Sequence, residues 1–110
     1  MESWDIRSLD VQPHQPQVLR SDGEARVIAI HLPAGERLRE HQVHERAYLL
    51  VVDGQIEVDG DPTESGGPGY LAQFEPRERR EVRATSDARL LLILAPWPGE
   101  GHPSQRADAG

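Results

Sequence analysis

Nine prolines and ten glycines are scattered through the 110 residues, leaving few windows in which a helix could run unbroken. The pieces between them read as strands. Residues 25–32, ARVIAIHL, are rich in β-branched and aliphatic side chains, follow an Asp22-Gly23 turn and stop at Pro33-Ala34-Gly35. Residues 47–52, AYLLVV, run into Asp53-Gly54 and resume as QIEVD, in which Ile56 and Val58 alternate with polar residues. Residues 61–69 read as a loop, and 70–74, 81–84 and 88–95 as three further strands. Short strands at this spacing predict an all-β barrel or sandwich of antiparallel strands in a single domain.

Composition removes several kinds of chemistry. Without Cys there is no disulfide, thiolate zinc site, iron-sulfur cluster or cysteine nucleophile. All twelve basic residues are Arg, which excludes a lysine Schiff base and the P-loop lysine. A net charge of −7 disfavours nucleic acid as a partner, since no basic face is available to displace phosphate counterions. The longest strongly apolar run, 90–95, is far short of the roughly 20 residues that span a bilayer, so no membrane partner is expected. Met1 is followed by Glu2 and Asp5 rather than a basic, then apolar, leader, and the expected location is the cytoplasm.

Residues 47–52 and 89–95 carry apolar side chains at consecutive positions. Both faces of those strands should therefore be covered, one by the barrel interior and the other by a second subunit, which predicts a homodimer. Residues 1–17 form an N-terminal arm, 18–96 the barrel and 97–110 a C-terminal tail. Trp4 and Trp97 are placed to anchor the two ends, and His31, out of phase with Ile28, Ile30 and Leu32, reads as structural or exposed.

The stretch 35–54 holds a turn glycine, a pair of histidines, an apolar strand and a second turn glycine. It resembles the first motif of the cupin superfamily, with Gly35, His41 and Gly54 at matching positions. The second cupin motif aligns on Gly69, with Pro76 displaced by one place, and ends near Ala84. The resemblance covers roughly 26–95. It implies the cupin fold, a small antiparallel β-barrel that is a double-stranded β-helix of jelly-roll type.

In metal-binding cupins the motif histidines and glutamate hold one ion. Here the second His falls on Val43, the Glu on Ala47 and the His of the second motif on Arg80. One imidazole cannot hold a divalent ion. A regular strand sets His41 inward with Val43 and Glu45, and His44 on the opposite face. A β-bulge near Val43 would instead bring His41 and His44 together, with Glu45 or His102 completing a shell for iron, manganese, zinc or nickel.

Arg80 puts a planar five-donor cation where the family keeps an imidazole, which suits a carboxylate or phosphate. Otherwise it belongs to the salt-bridged surface run EPRERRE, 75–81. The expected pocket consists of His41, Tyr48, Gln73 and Arg80, with Tyr70 and Phe74 as further lining. The leading expectation is a metal-free or metal-degenerate cupin binding a small anionic molecule. The alternatives are a metal-dependent dioxygenase, isomerase or cyclase using His41 and His44, and a purely structural interaction module.

Overall fold

The computed structural model describes residues 1–21, 25–38 and 46–95. Among these, nine strands form two antiparallel sheets: β1 (Gln17–Ser21), β2 (Arg26–Leu32), β3 (Arg37–Leu38), β4 (Arg46–Asp53), β5 (Ile56–Val58), β6 (Glu64–Gly66), β7 (Leu71–Phe74), β8 (Val82–Ala84) and β9 (Ala88–Ala95). One sheet runs β1-β2-β9-β4-β7 and the other β3-β8-β5-β6. The all-β expectation holds.

Strand alternation explains which side chains enter the core. In β4, Ala47, Leu49 and Val51 are buried while Tyr48, Leu50 and Val52 are half-buried. Register carries the same phase across the sheet, so Ile28, Leu92, Leu49 and Ala72 form one inward row and Ile30, Leu90 and Val51 another. Ile56, Val58, Val82 and Ala84 of the opposite sheet meet them in a single cluster. Leu49, Val51, Ile56 and Leu90 are fully buried, each worth about 1.5–3 kcal/mol of transfer free energy.

The turns at one end are tied together. Gly54 has φ +84°, and a Cβ there would collide with the Asp87 carbonyl in the β8–β9 turn. Gln55 N–H donates to Ser86 Oγ (2.9 Å), and Thr85 N–H donates to the Gln55 carbonyl (2.9 Å). The Asp53-Gly54 dipeptide thus serves a packing role as well as a turn.

Three elements depart from expectation. The 61–69 loop contains β6, which pairs with β5 through Glu64, Ser65 and Gly66 although it lacks β-branched residues. β1 pairs with β2 across an irregularity between Val18 and Arg20 that breaks its alternation. In the arm, Trp4 stays exposed and Val11 is the buried residue. Arg89 Nη1 donates to the Leu9 carbonyl at 2.7 Å and His31 Nδ1 lies 3.1 Å from the Val11 carbonyl. The arm is therefore strapped over the outer face of β2 and β9. Val43, Glu45, Trp97, His102 and the 97–110 tail lie outside the described residues.

Candidate ligand-binding cavity

β6 and β7 are edge strands of different sheets with no hydrogen-bond ladder between them. Between them lies a cavity of about 410 Å³, floored by Val58, Ala72 and Phe74 and edged by Tyr70, Gln73 and Arg80. Such a volume falls within the roughly 300–1,000 Å³ typical of small-molecule sites.

Glu64 and Tyr70 close one side. Glu64 pairs in register with the buried Val58, which places its side chain on the inner face. The Tyr70 hydroxyl donates to Glu64 Oε1 at 2.7 Å, bridging the two sheets. The Tyr70 ring rests on Gly66, where any Cβ would strike it. Burial, and then the neighbouring Glu64 carboxylate, push the Tyr70 hydroxyl above its ordinary value, so it stays a donor throughout the neutral range.

Arg80 and Glu78 close the other side. Arg80 Nε donates to Glu78 Oε2 at 2.9 Å, and Nη1 reaches the Asp59 carbonyl at 3.4 Å. The Glu75 N–H donates to Glu78 Oε1 at 2.9 Å and the Glu78 N–H returns to the Glu75 carbonyl at 3.0 Å. That backbone donor, and next Arg80, hold the Glu78 carboxyl below the usual glutamate range. Arg80 is thus exposed and bonded to Glu78 within the salt-bridged run 75–81, and from there it also lines the cavity.

Of the expected pocket residues, Gln73 and Arg80 come together here. Gln73 lies on the outward phase of β7 and its Nε2 donates to Glu75 Oε1 at 3.0 Å. Tyr48 is not among the lining residues: it lies on the outward phase of β4, one strand further from the cavity than Gln73 on the edge strand β7. Tyr70 is the tyrosine at the cavity. His41 and His44 lie outside the described residues. Glu64 and Glu78 were not anticipated. The signal for Glu64 was its position two residues before Gly66, which leaves room for the Tyr70 ring.

Among the described residues no group of three His, Asp or Glu is placed to hold a metal ion. At two positions aligned with cupin ligands, Ala47 is a buried methyl and Arg80 a cation bonded to Glu78, so neither can donate to an ion. The described residues do not fit the metal that the family pattern implies. A second cavity of about 680 Å³ lies between the arm at 14–16 and the 30–38 corner, where His14 Nε2 is 3.6 Å from Glu36 Oε1. Among the described residues no helix is long and apolar enough to cross a membrane.

A family model described as the quercetinase C-terminal cupin domain matches residues 15–93. No match is found among curated proteins. Among solved structures the chain is similar to an RmlC-like cupin protein from Desulfovibrio desulfuricans, with a TM-score of 0.76, 20% identity, and 87% of this chain and 97% of that one covered. It is similar to an RmlC-like cupin with a double-stranded β-helix fold from Methanocaldococcus jannaschii, with a TM-score of 0.72, 16% identity and 89% of each chain covered. It is also similar to the cupin domain of Schizosaccharomyces pombe Cnp3, with a TM-score of 0.77, 14% identity, and 96% of this chain and 80% of that one covered.

Proposed function

The chain belongs to the family of quercetinase C-terminal cupin domains, and from that premise we propose that it binds a small molecule in the cavity between β6 and β7. The observation that carries this reading is the pair of ordered polar contacts, Tyr70 with Glu64 and Arg80 with Glu78, facing each other across an apolar floor. Convergent polar groups over apolar walls are what orient a bound molecule. An anion is the ligand that Arg80 suggests: among the described residues Glu78 takes Nε and the Asp59 carbonyl takes Nη1, and the remaining N–H donors of the guanidinium can receive it without displacing Glu78.

A fragment screen read by amide chemical shifts tests the proposal. Binders should perturb Tyr70, Ala72 and Arg80, and Ala72→Phe, which fills the floor, should abolish those shifts. Binders whose shifts cluster elsewhere and survive Ala72→Phe would refute it.

The family description names an enzyme, quercetinase, and this favours a second reading in which His41 and His44 hold iron, manganese, zinc or nickel for a dioxygenase-type reaction. Metal analysis of protein purified without chelator or a nickel column decides the matter. Stoichiometric metal that disappears in His41→Ala would promote the enzyme; metal-free protein that still binds fragments would retire it.

The partner we propose is a second copy. The outer face of the larger sheet carries the cross-strand rows Ala29-Leu91-Leu50-Leu71 and Val27-Ile93-Tyr48-Gln73. Leu71 is 60% exposed. β4 bears Arg46 at one end of this face and Asp53 at the other. Arg46 is ion-paired with Glu75 and Asp53 lies in register with Arg89, so what two copies stacked through this face would bury is its apolar rows.

A further inference from the structure

We propose that the N-terminal arm is a proton-operated strap, which His31 fastens when its ring carries two protons and releases when the ring gives one up. Release takes one wall away from the second cavity, the one between 14–16 and the 30–38 corner.

Basic side chains fasten the arm along its length. Arg20 Nη1 lies 3.1 Å from Glu2 Oε1, and Arg89 Nη1 donates to the Leu9 carbonyl at 2.7 Å. His31 Nδ1 lies 3.1 Å from the Val11 carbonyl, and His14 Nε2 lies 3.6 Å from Glu36 Oε1. The two arginines stay charged at every physiological pH. The two imidazoles change charge between about pH 5 and pH 8.

His31 is the one that decides, because its side chain is 17% exposed against 70% for His14, whose pair with Glu36 is screened by water. On its far side the His31 ring meets Asp87 Oδ1 at 2.8 Å. A carbonyl and a carboxylate both accept, so the imidazolium satisfies the two at once, whereas a neutral ring has a single N–H to give. The carboxylate is the stronger acceptor. The neutral ring therefore keeps its proton on Nε2 for Asp87 and turns the bare Nδ1 lone pair on the Val11 carbonyl. Two acceptors then face each other beside the arm's buried residue, and the arm lifts.

The other charged groups near the ring leave this choice to Val11 and Asp87, which alone among the described residues hydrogen-bond it. β9 places Arg89 in register with His31, and β4 places Asp53 in register with Arg89. In the arm, Asp10 accepts from the Gln12 amide. Glu36 and Arg37 line the cavity together with both histidines, Arg37 being paired with Glu81.

The chain has no Cys, so a nitroxide on Gln12→Cys, at an exposed position beside Val11, reports the arm alone. Its ratio of mobile to immobilised signal should rise between pH 5 and pH 8 by a factor of about two to ten, the range for one hydrogen bond. Nitrogen-15 shifts of the His31 ring should show Nδ1 losing its proton over the same range while Nε2 keeps its own. Asp87→Asn is the decisive variant, and with 65% of that side chain exposed it should fold as wild type does. The asparagine amide can donate to a bare Nε2, so the neutral ring keeps Nδ1–H for Val11 and the label should stay immobilised at both pH values. His14→Gln, which removes the exposed pair with Glu36, should keep most of the rise. A ratio that does not change with pH in the labelled wild type, or a rise that survives Asp87→Asn, would overturn the proposal. So would a rise that vanishes in His14→Gln, or a neutral His31 ring that retains its proton on Nδ1.

Discussion

His31 turns one ring nitrogen to Asp87, with Nε2 at 2.8 Å from Oδ1, and the other to the arm, with Nδ1 at 3.1 Å from the Val11 carbonyl. Carbonyls and carboxylates only accept, so both contacts are hydrogen bonds at once when the ring carries a proton on each nitrogen. The imidazole sits between the arm and the β8–β9 turn, and β9 adds Arg89 on the Leu9 carbonyl.

His31→Ala should therefore release the arm. One partly buried hydrogen bond to Val11 and one exposed hydrogen bond to Asp87, at about 0.5–1.5 kcal/mol each, suggest a loss of at most roughly 1–3 kcal/mol, measurable by denaturant unfolding. Amide exchange at residues 9–12 should accelerate more than exchange in β4. Asp87→Asn should cost less, since an asparagine amide can donate to a neutral ring nitrogen and keep the bridge. Equal exchange rates across the arm in wild type and His31→Ala would show that Val11 and the Arg89 contact hold it without His31.

Gly66→Ala tests the seat of Tyr70. The added methyl has nowhere to go but into the ring, so overpacking of about 1–3 kcal/mol is expected together with loss of fragment binding. In a Tyr70→Ala background the same substitution should cost much less, and a double-mutant cycle measures the difference. Tyr70→Phe, which removes only the hydroxyl, should cost about 0.5–1.5 kcal/mol.

Acid should loosen the 75–80 loop. The Glu78 carboxyl is depressed below its ordinary value of 4.5, so the folded state prefers the charged form. Its stabilising contribution is complete above that value and is lost as pH falls through the lower folded value. The Glu75 amide shift should report the transition, and Glu78→Gln should abolish it. A Glu75 shift that titrates unchanged in Glu78→Gln would assign the step to another carboxylate.

What was legible in the sequence follows from how strongly each residue's neighbourhood is set by local pattern. β2, β4 and β9 announce themselves because Ile28, Ile30, Leu49, Val51 and Leu90 fall on one phase and make the core. β6 was hidden, since Glu64, Ser65 and Gly66 have no strand preference of their own and are held only by pairing with Ile56, Glu57 and Val58. The same holds for the cavity. Arg80 and Gln73 were singled out from motif position and strand position, whereas Glu64 and Glu78 matter through partners 6 and 2 residues away whose side chains the fold aims together. Tyr48, expected in the pocket, alternates with the inward Leu49 and so faces outward.

That outward phase is the basis of the final prediction. Leu50, Leu71, Leu91 and Ile93 make an apolar surface beside the strapped arm, and the two copies that cover it should sediment at about twice 12.3 kDa. Leu71 is the residue to change, because its large exposure in the single chain means that substitution leaves the core untouched. Leu71→Arg would place one like charge on each copy in the middle of the buried face, where no carboxylate lies in its cross-strand row. The variant should keep its unfolding midpoint when compared at a dilution where wild type is monomeric, yet sediment as a monomer at concentrations where wild type is dimeric. Wild type that sediments as a monomer at micromolar concentration, or a Leu71→Arg variant that still dimerises, would place the contact elsewhere or remove it.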